Sequence, residues 1–233
     1  VRIYFKANIA KVGAFGFTNG INLLLSGNTI NFWLSSYGID PKIIGLFACI
    51  ALPYALKYFI ALFINHCHLK KPQYKTWLIT SRMMLIIFLL IMSRLHPQEN
   101  LALIALSGFF IALFSVIQDV ILSSNRIKIL NSSEQVQGSA IHSGGFHLGM
   151  LISGAGVIFL SAQTNWSNIF LSLALLYLLL TIFIFYLYKE PEDFNAKDML
   201  ENTKFTWRNI LIKPFEGFMS FKHLLWVLLF TLV

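Results

Sequence analysis

The sequence predicts an all-α integral membrane protein, and three observations carry that prediction. Of its 233 residues 57% are hydrophobic and only 12% are charged, whereas a soluble domain carries roughly twice that charged fraction. Apolar runs recur about six times along the chain, each near the roughly 20 residues that a helix needs to cross a bilayer. These runs do not alternate as the strands of a membrane barrel would, and closed barrels are the only other spanning solution. Finally, Lys and Arg gather in alternate connecting segments, as a topology signal requires.

Six spans are expected, at about 9–34, 43–64, 76–93, 101–124, 139–160 and 168–188. The first is unusually polar. Its Asn19, Asn22, Ser26 and Thr29 are spaced 3, 4 and 3 apart, which puts them on one helical face. Such a stripe reads either as the wall of an aqueous path or as hydrogen-bonded helix packing. The second span carries Pro53, which kinks it, and Lys57. The third is greasy apart from Arg82. The fourth, GFFIALFSVIQDVILSSNR, holds Gln118 and Asp119 and ends on Arg126. In the fifth, Gly145, Gly149 and Ser153 recur every four positions and allow close helix approach. The sixth is apolar on every side and suits a lipid-facing position.

After Tyr188 the composition changes. Residues 189–220 read as a charged cytoplasmic connector behind a bundle over 1–188. Residues 221–233 read as the start of a seventh span, too short to cross. With the N-terminus inside, the inner segments 1–11, 65–75, 125–138 and 189–222 hold 14 of the 18 Lys and Arg residues, and the outer loops hold Lys42 and Arg94. That asymmetry predicts a cytoplasmic N-terminus. It also accounts for the net charge of +8 without invoking nucleic acid.

The spans place four ionisable side chains at one level. Lys57, Arg82, Asp119 and His147 each lie about five to eight residues from the cytoplasmic end of their span, roughly 7–12 Å inward at the helical rise. An intramembrane carboxylate needs a partner or a wet cavity, and this layer offers Asp119 its cations. It reads either as a structural ion-pair cluster or as a coupling layer, in which Asp119 or His147 takes up a proton and surplus positive charge attracts an anionic substrate. Lys57 or Arg82 can alternatively snorkel to the inner surface. His66-Cys67-His68 has too few workable ligands for zinc, so no metal or cofactor is expected. No nucleophile–base set or phosphate loop is present, so no enzyme is expected either.

GFTNGINLLLSGNTINFWL, GLFACIALPYALKYF, the Gln118-Asp119…Arg126 segment and GGFHLGMLISGAG resemble, in that order, the bacterial muropeptide permease (AmpG-type) family of the major facilitator superfamily. The resemblance runs from about Gly13 to Pro191. It implies the N-terminal six-transmembrane-helix bundle of a transporter in the bacterial inner membrane, completed by a second six-helix half in the same or another chain. It further implies proton-driven import of anhydromuropeptides for cell-wall recycling. Lys57, Gln118, Asp119 and Arg126 coincide with the family pattern. Asn22 stands where that family has proline, Ser123 where it has a second acid, His147 where arginine is common and Arg82 where glutamine is common. In this reading Asp119, His147, Lys57 and Arg82 form the coupling layer. Asn19, Asn22, Ser26, Thr29 and Gln118 line the substrate path, and Arg126 gates its cytoplasmic end. The partners are the lipid bilayer, a small anionic substrate and protons. Two alternatives stand beside it: a transporter of another anionic metabolite, and a truncated or split-gene product that does not transport.

Overall fold

The computed structural model describes residues 2–66 and 73–188, all within one compact unit, Val1–Pro191. The connector and the start of a seventh span lie outside the described residues, as do the side chains of His66-Cys67-His68. The described residues are helical, with no strand among them.

Helix α1 (Arg2–Leu24) continues through a π turn (Leu25–Thr29) into α2 (Ile30–Ser36). Gly38, at φ +71°, then ends that helix, a backbone region that glycine enters without steric cost. Asp40 caps α3 (Pro41–Leu46), accepting a hydrogen bond from the Lys42 amide at 2.8 Å, with Pro41 at the first turn. A 3-10 stretch (Phe47–Ala51) leads into α4 (Leu52–Ala55), where Pro53 again sits in the first turn. The chain bends by 44° before α5 (Lys57–His66). The kink expected at Pro53 is therefore present, and the helix breaks just after it.

Helices α6 (Gln73–Met92) and α7 (Leu101–Ile129) follow. A capping box of Asn131 and Glu134 precedes α8 (Gln135–Leu151), which passes through a second π turn (Ile152–Gly156) into α9 (Val157–Ser161). Helix α10 (Trp166–Leu187) closes the described bundle. Four stretches, Tyr74–Met92, Leu101–Ile127, Gln135–Ser161 and Trp166–Tyr186, are long and apolar enough to cross a membrane. The bent pair Pro41–Ala55 and Lys57–Ile64 makes a fifth if it is one span. The first helix falls short of that criterion because its polar stripe lowers its hydropathy.

Helix α7 is the centre of the bundle and packs against α1, α4, α5 and α6. The closest pairing is α1 on α8. A Cβ built on Gly20 falls 1.9 Å from the Phe146 carbonyl oxygen, and one on Gly149 falls 2.1 Å from that of Phe17. The small-residue stripe thus does what its spacing predicts: it lets two backbones touch. Above this contact the two π turns meet. Thr29 Oγ1 donates to the Ser153 carbonyl at 3.0 Å, and Ser153 Oγ donates to that of Gly149 at 3.0 Å. A π turn disturbs the regular ladder of backbone bonds, and the Thr29 hydroxyl supplies the Ser153 carbonyl with a donor. Thr29→Val keeps the side-chain shape and removes that donor. It is expected to lower stability by about 1 kcal/mol, measured by thermal unfolding in nanodiscs.

The sixth expected span differs from its sequence reading. Although apolar all round, α10 is not simply lipid-facing. Trp166, Ile169, Phe170, Leu173, Ala174 and Tyr177 are buried in the main core, while Leu171, Leu175, Leu179 and Phe183 remain exposed. A helix without a polar face carries no pattern that reveals which side packs inward.

Candidate functional site

One turn below the π turn of the first helix, four elements enclose a cavity of about 110 Å³. Helix α1 contributes Asn19, Asn22 and Leu23, α4 contributes Tyr54, α7 contributes Ser115 and Asp119, and α8 contributes Phe146. Its volume is well below the roughly 300–1,000 Å³ of small-molecule sites. It is therefore a polar niche in a wall, not a complete pocket.

Asp119 is the chemical centre of the niche. Its Oδ2 meets the Lys57 ammonium in an ion pair. Its Oδ1 accepts from Asn19 Nδ2 at 2.7 Å and from Ser123 Oγ at 3.2 Å. Three donors on two oxygens suit a carboxylate, which only accepts. The break after Ala55 makes this possible, because Lys57 opens a new helix and is free to turn toward α7. Ser123, one turn beyond Asp119 on the same face, gives the carboxylate a donor where a second acid would repel it. The pair is not sealed off: the Lys57 side chain is 44% exposed and that of Asp119 25%.

The polar stripe of the first helix is divided. Asn19 and Asn22 line the niche. Ser26 lies behind them, its hydroxyl bonded to the carbonyl oxygens of Asn22 and Leu23 and 3.1 Å from the Tyr54 hydroxyl. Thr29 belongs to the packing of the two π turns. Behind Asn22 runs a buried polar chain: its amide donates to Gln118 Oε1 at 3.4 Å, and its own Oδ1 accepts from the Tyr177 hydroxyl. Gln118 is thus fully buried beside the niche and does not line it.

The expected four-residue ionisable layer is also divided. Lys57 and Asp119 meet. Arg82 does not join them and does not snorkel: it is 1% exposed, in the α6–α10 side of the core near Tyr177. His147 is exposed, with Nδ1 2.8 Å from the carbonyl oxygen of Ser143 on its own helix. His142, which the sequence reading did not single out, lies on the side of α8 that packs on α1. It is half-buried and one turn from the cavity-lining Phe146. Arg126 is half-buried, two turns from Asp119 toward the C-terminal end of α7. The spacing held a signal for His142, since His142, Gly145, Gly149 and Ser153 form one stripe with steps of 3, 4 and 4. His147 lies on the opposite side of that helix.

A part-exposed ion pair set in a polar niche of a helical membrane bundle marks a functional region, because intramembrane charges are rare and line cavities, solute paths or proton relays. The sequence model of the Major Facilitator Superfamily matches residues 12–233, and the chain belongs to that superfamily. Among curated proteins it is similar to "Putative transporter AmpG 1" of Rickettsia bellii, at 32% identity over 75% of this chain and 45% of the relative. The protein of the same name from Rickettsia conorii is 34% identical over 76% of this chain and 44% of the relative. Transporter AmpG 4 of Rickettsia felis, named in the same style, is 26% identical over 98% of this chain and 56% of the relative. These relatives agree with the resemblance read from the sequence motifs. The chain spans about half the length of the curated relatives it matches.

Proposed function

We propose that this chain is the N-terminal, six-span bundle of a proton-driven importer of small anionic solutes in the bacterial inner membrane, similar to importers of anhydromuropeptides. The observation that carries the reading is the Lys57–Asp119 pair, part-exposed in a polar niche of the bundle. Protonation of Asp119 neutralises the carboxylate and releases the Lys57 ammonium to an anionic group of the solute. Carboxylate and solute then compete for one cation, which couples proton entry to solute entry. Asn19 and Asn22 form the polar wall, Gln118 orients Asn22, and Arg126 draws the anion toward the cytoplasmic end.

In this reading Arg2–Ser36 and Pro41–His66 each cross the membrane once, completing six spans over 1–188. The N-terminus is cytoplasmic, as the distribution of Lys and Arg supports. Residues 189–220 connect to a seventh span that begins at 221, and a second six-helix half supplies the opposing wall. Cells that have this protein as their importer are expected to accumulate labelled anhydromuropeptide, faster in an acidic medium and at background rate with a protonophore. Uptake indifferent to the protonophore removes proton coupling. No uptake of this or other anionic metabolites, from a membrane-embedded species near 26.5 kDa, favours instead a chain that does not transport by itself.

A further inference from the structure

A second charged site lies in the helix core, apart from the niche. Arg82 sits in the buried row Leu78–Arg82–Leu85–Leu89–Met92 of α6, whose steps of 4, 3, 4 and 3 turn all five toward the interior. Its side chain is as buried as those leucines. None of its three guanidinium nitrogens has a hydrogen-bond acceptor among the described residues.

No described polar side chain near it accepts from it. Tyr177, its electrostatic neighbour on α10, donates its hydroxyl to Asn22 Oδ1. The Asn22 amide occupies Gln118 Oε1. The Gln118 amide nitrogen is itself a buried donor without an acceptor. Among Arg82, Tyr177, Asn22 and Gln118, the buried side-chain atoms left without a partner are all donors: the three guanidinium nitrogens of Arg82 and Nε2 of Gln118. The one carboxylate within the described spans, Asp119, is held by Lys57, Asn19 and Ser123. An enclosed guanidinium with neither counter-charge nor acceptors is strongly unfavourable.

We propose that Arg82 holds a small inorganic monoanion, of the chloride class, inside the bundle between α6 and α10. Such an ion supplies the missing charge and accepts several N–H bonds at once. The complete burial of Arg82 and Tyr177 favours a compact ion over a carboxylate-bearing solute. The site is structural: it neutralises the core behind Asn22 and keeps Tyr177 and Asn22 in register with the niche. It does not depend on what the niche transports.

The test is thermal unfolding of the purified full chain in nanodiscs, in sodium chloride against sodium gluconate at equal ionic strength, together with binding of labelled chloride to the same samples. The expected result is saturable binding of a single chloride per chain and a rise in Tm of about 3–6 °C at tenfold excess over its Kd. Arg82→Gln should abolish both effects. Should Arg82→Gln fail to fold, Arg82→Lys keeps the charge with fewer donors and should bind chloride about tenfold more weakly. Equal Tm in both salts without bound chloride overturns the proposal, since a guanidinium satisfied by water gives that result. Chloride binding that survives in Arg82→Gln and is lost in Lys57→Gln also overturns it, by placing the anion in the niche.

Discussion

Solute uptake is expected to fall at least tenfold, toward background, when Asp119 is replaced by asparagine. Asparagine has nearly the same shape, and its Oδ1 still accepts from Asn19 and Ser123, so the niche keeps its packing. What disappears is the negative charge facing Lys57. A charge-assisted hydrogen bond contributes about 1.5–3 kcal/mol, which corresponds to roughly a 10–100-fold change in an equilibrium. The lysine is then permanently available to an anion, so binding persists while its dependence on protons is lost. Uptake and equilibrium binding of labelled anhydromuropeptide, each measured at several pH values and normalised to protein in the membrane, separate the two effects. Uptake that continues with unchanged pH dependence removes Asp119 from the coupling step. Lys57→Gln complements this test: it is expected to weaken anion binding itself, because the cation is gone.

The largest stability effect is expected at the contact between α1 and α8. Alanine at Gly20 places its Cβ 1.9 Å from the Phe146 carbonyl oxygen, and alanine at Gly149 places it 2.1 Å from that of Phe17. Both obstacles are backbone atoms in helices, so no rotamer change relieves the overlap and the two helices must separate. Overpacking a core costs about 1–3 kcal/mol even where side chains can yield, and here about 3 kcal/mol or more is expected for either substitution. Separation also pulls Asn19 away from Asp119, so the niche loses a donor. Gly144→Ala is the control: it lies in the same helix with nothing within 4 Å of its added Cβ. It should be neutral or slightly stabilising, because alanine favours helix over glycine. Thermal unfolding of the three variants in nanodiscs checks the contrast. Equal stability of Gly149→Ala and Gly144→Ala would mean that the helices do not approach as closely as described.

Much of this protein follows from its sequence, because the rules that act along one helix are local. Apolar length predicts membrane-crossing helices, Pro53 marks the break in the second one, and the four-residue step of Gly145, Gly149 and Ser153 identifies a contact face. Asp119 and Lys57 are legible as partners because a carboxylate in an apolar span requires a cation, and Lys57 lies at its depth. Depth alone also selected Arg82 and His147, and there it failed. Depth locates a residue along the membrane normal but says nothing about its direction around the helix. His142 shares the stripe of Gly145 and Gly149 that packs on α1, while His147, five residues on, is exposed.

The remaining features depend on which helix meets which. Tyr177 lies in a span with no polar face, so only the packing of α10 against α1 and α6 shows that its hydroxyl reaches Asn22. Ser26 and Thr29 share a stripe with Asn19 and Asn22, but Thr29 meets Ser153 in the second π turn and Ser26 bonds back to its own helix, while the asparagines line the niche. Arg82 occupies a leucine-like position in a buried row, and only the closed core around it shows that its charge lacks an answer among the described side chains. A helix has one period and six or more possible neighbours: the sequence alone determines the period, and the tertiary structure decides the neighbours.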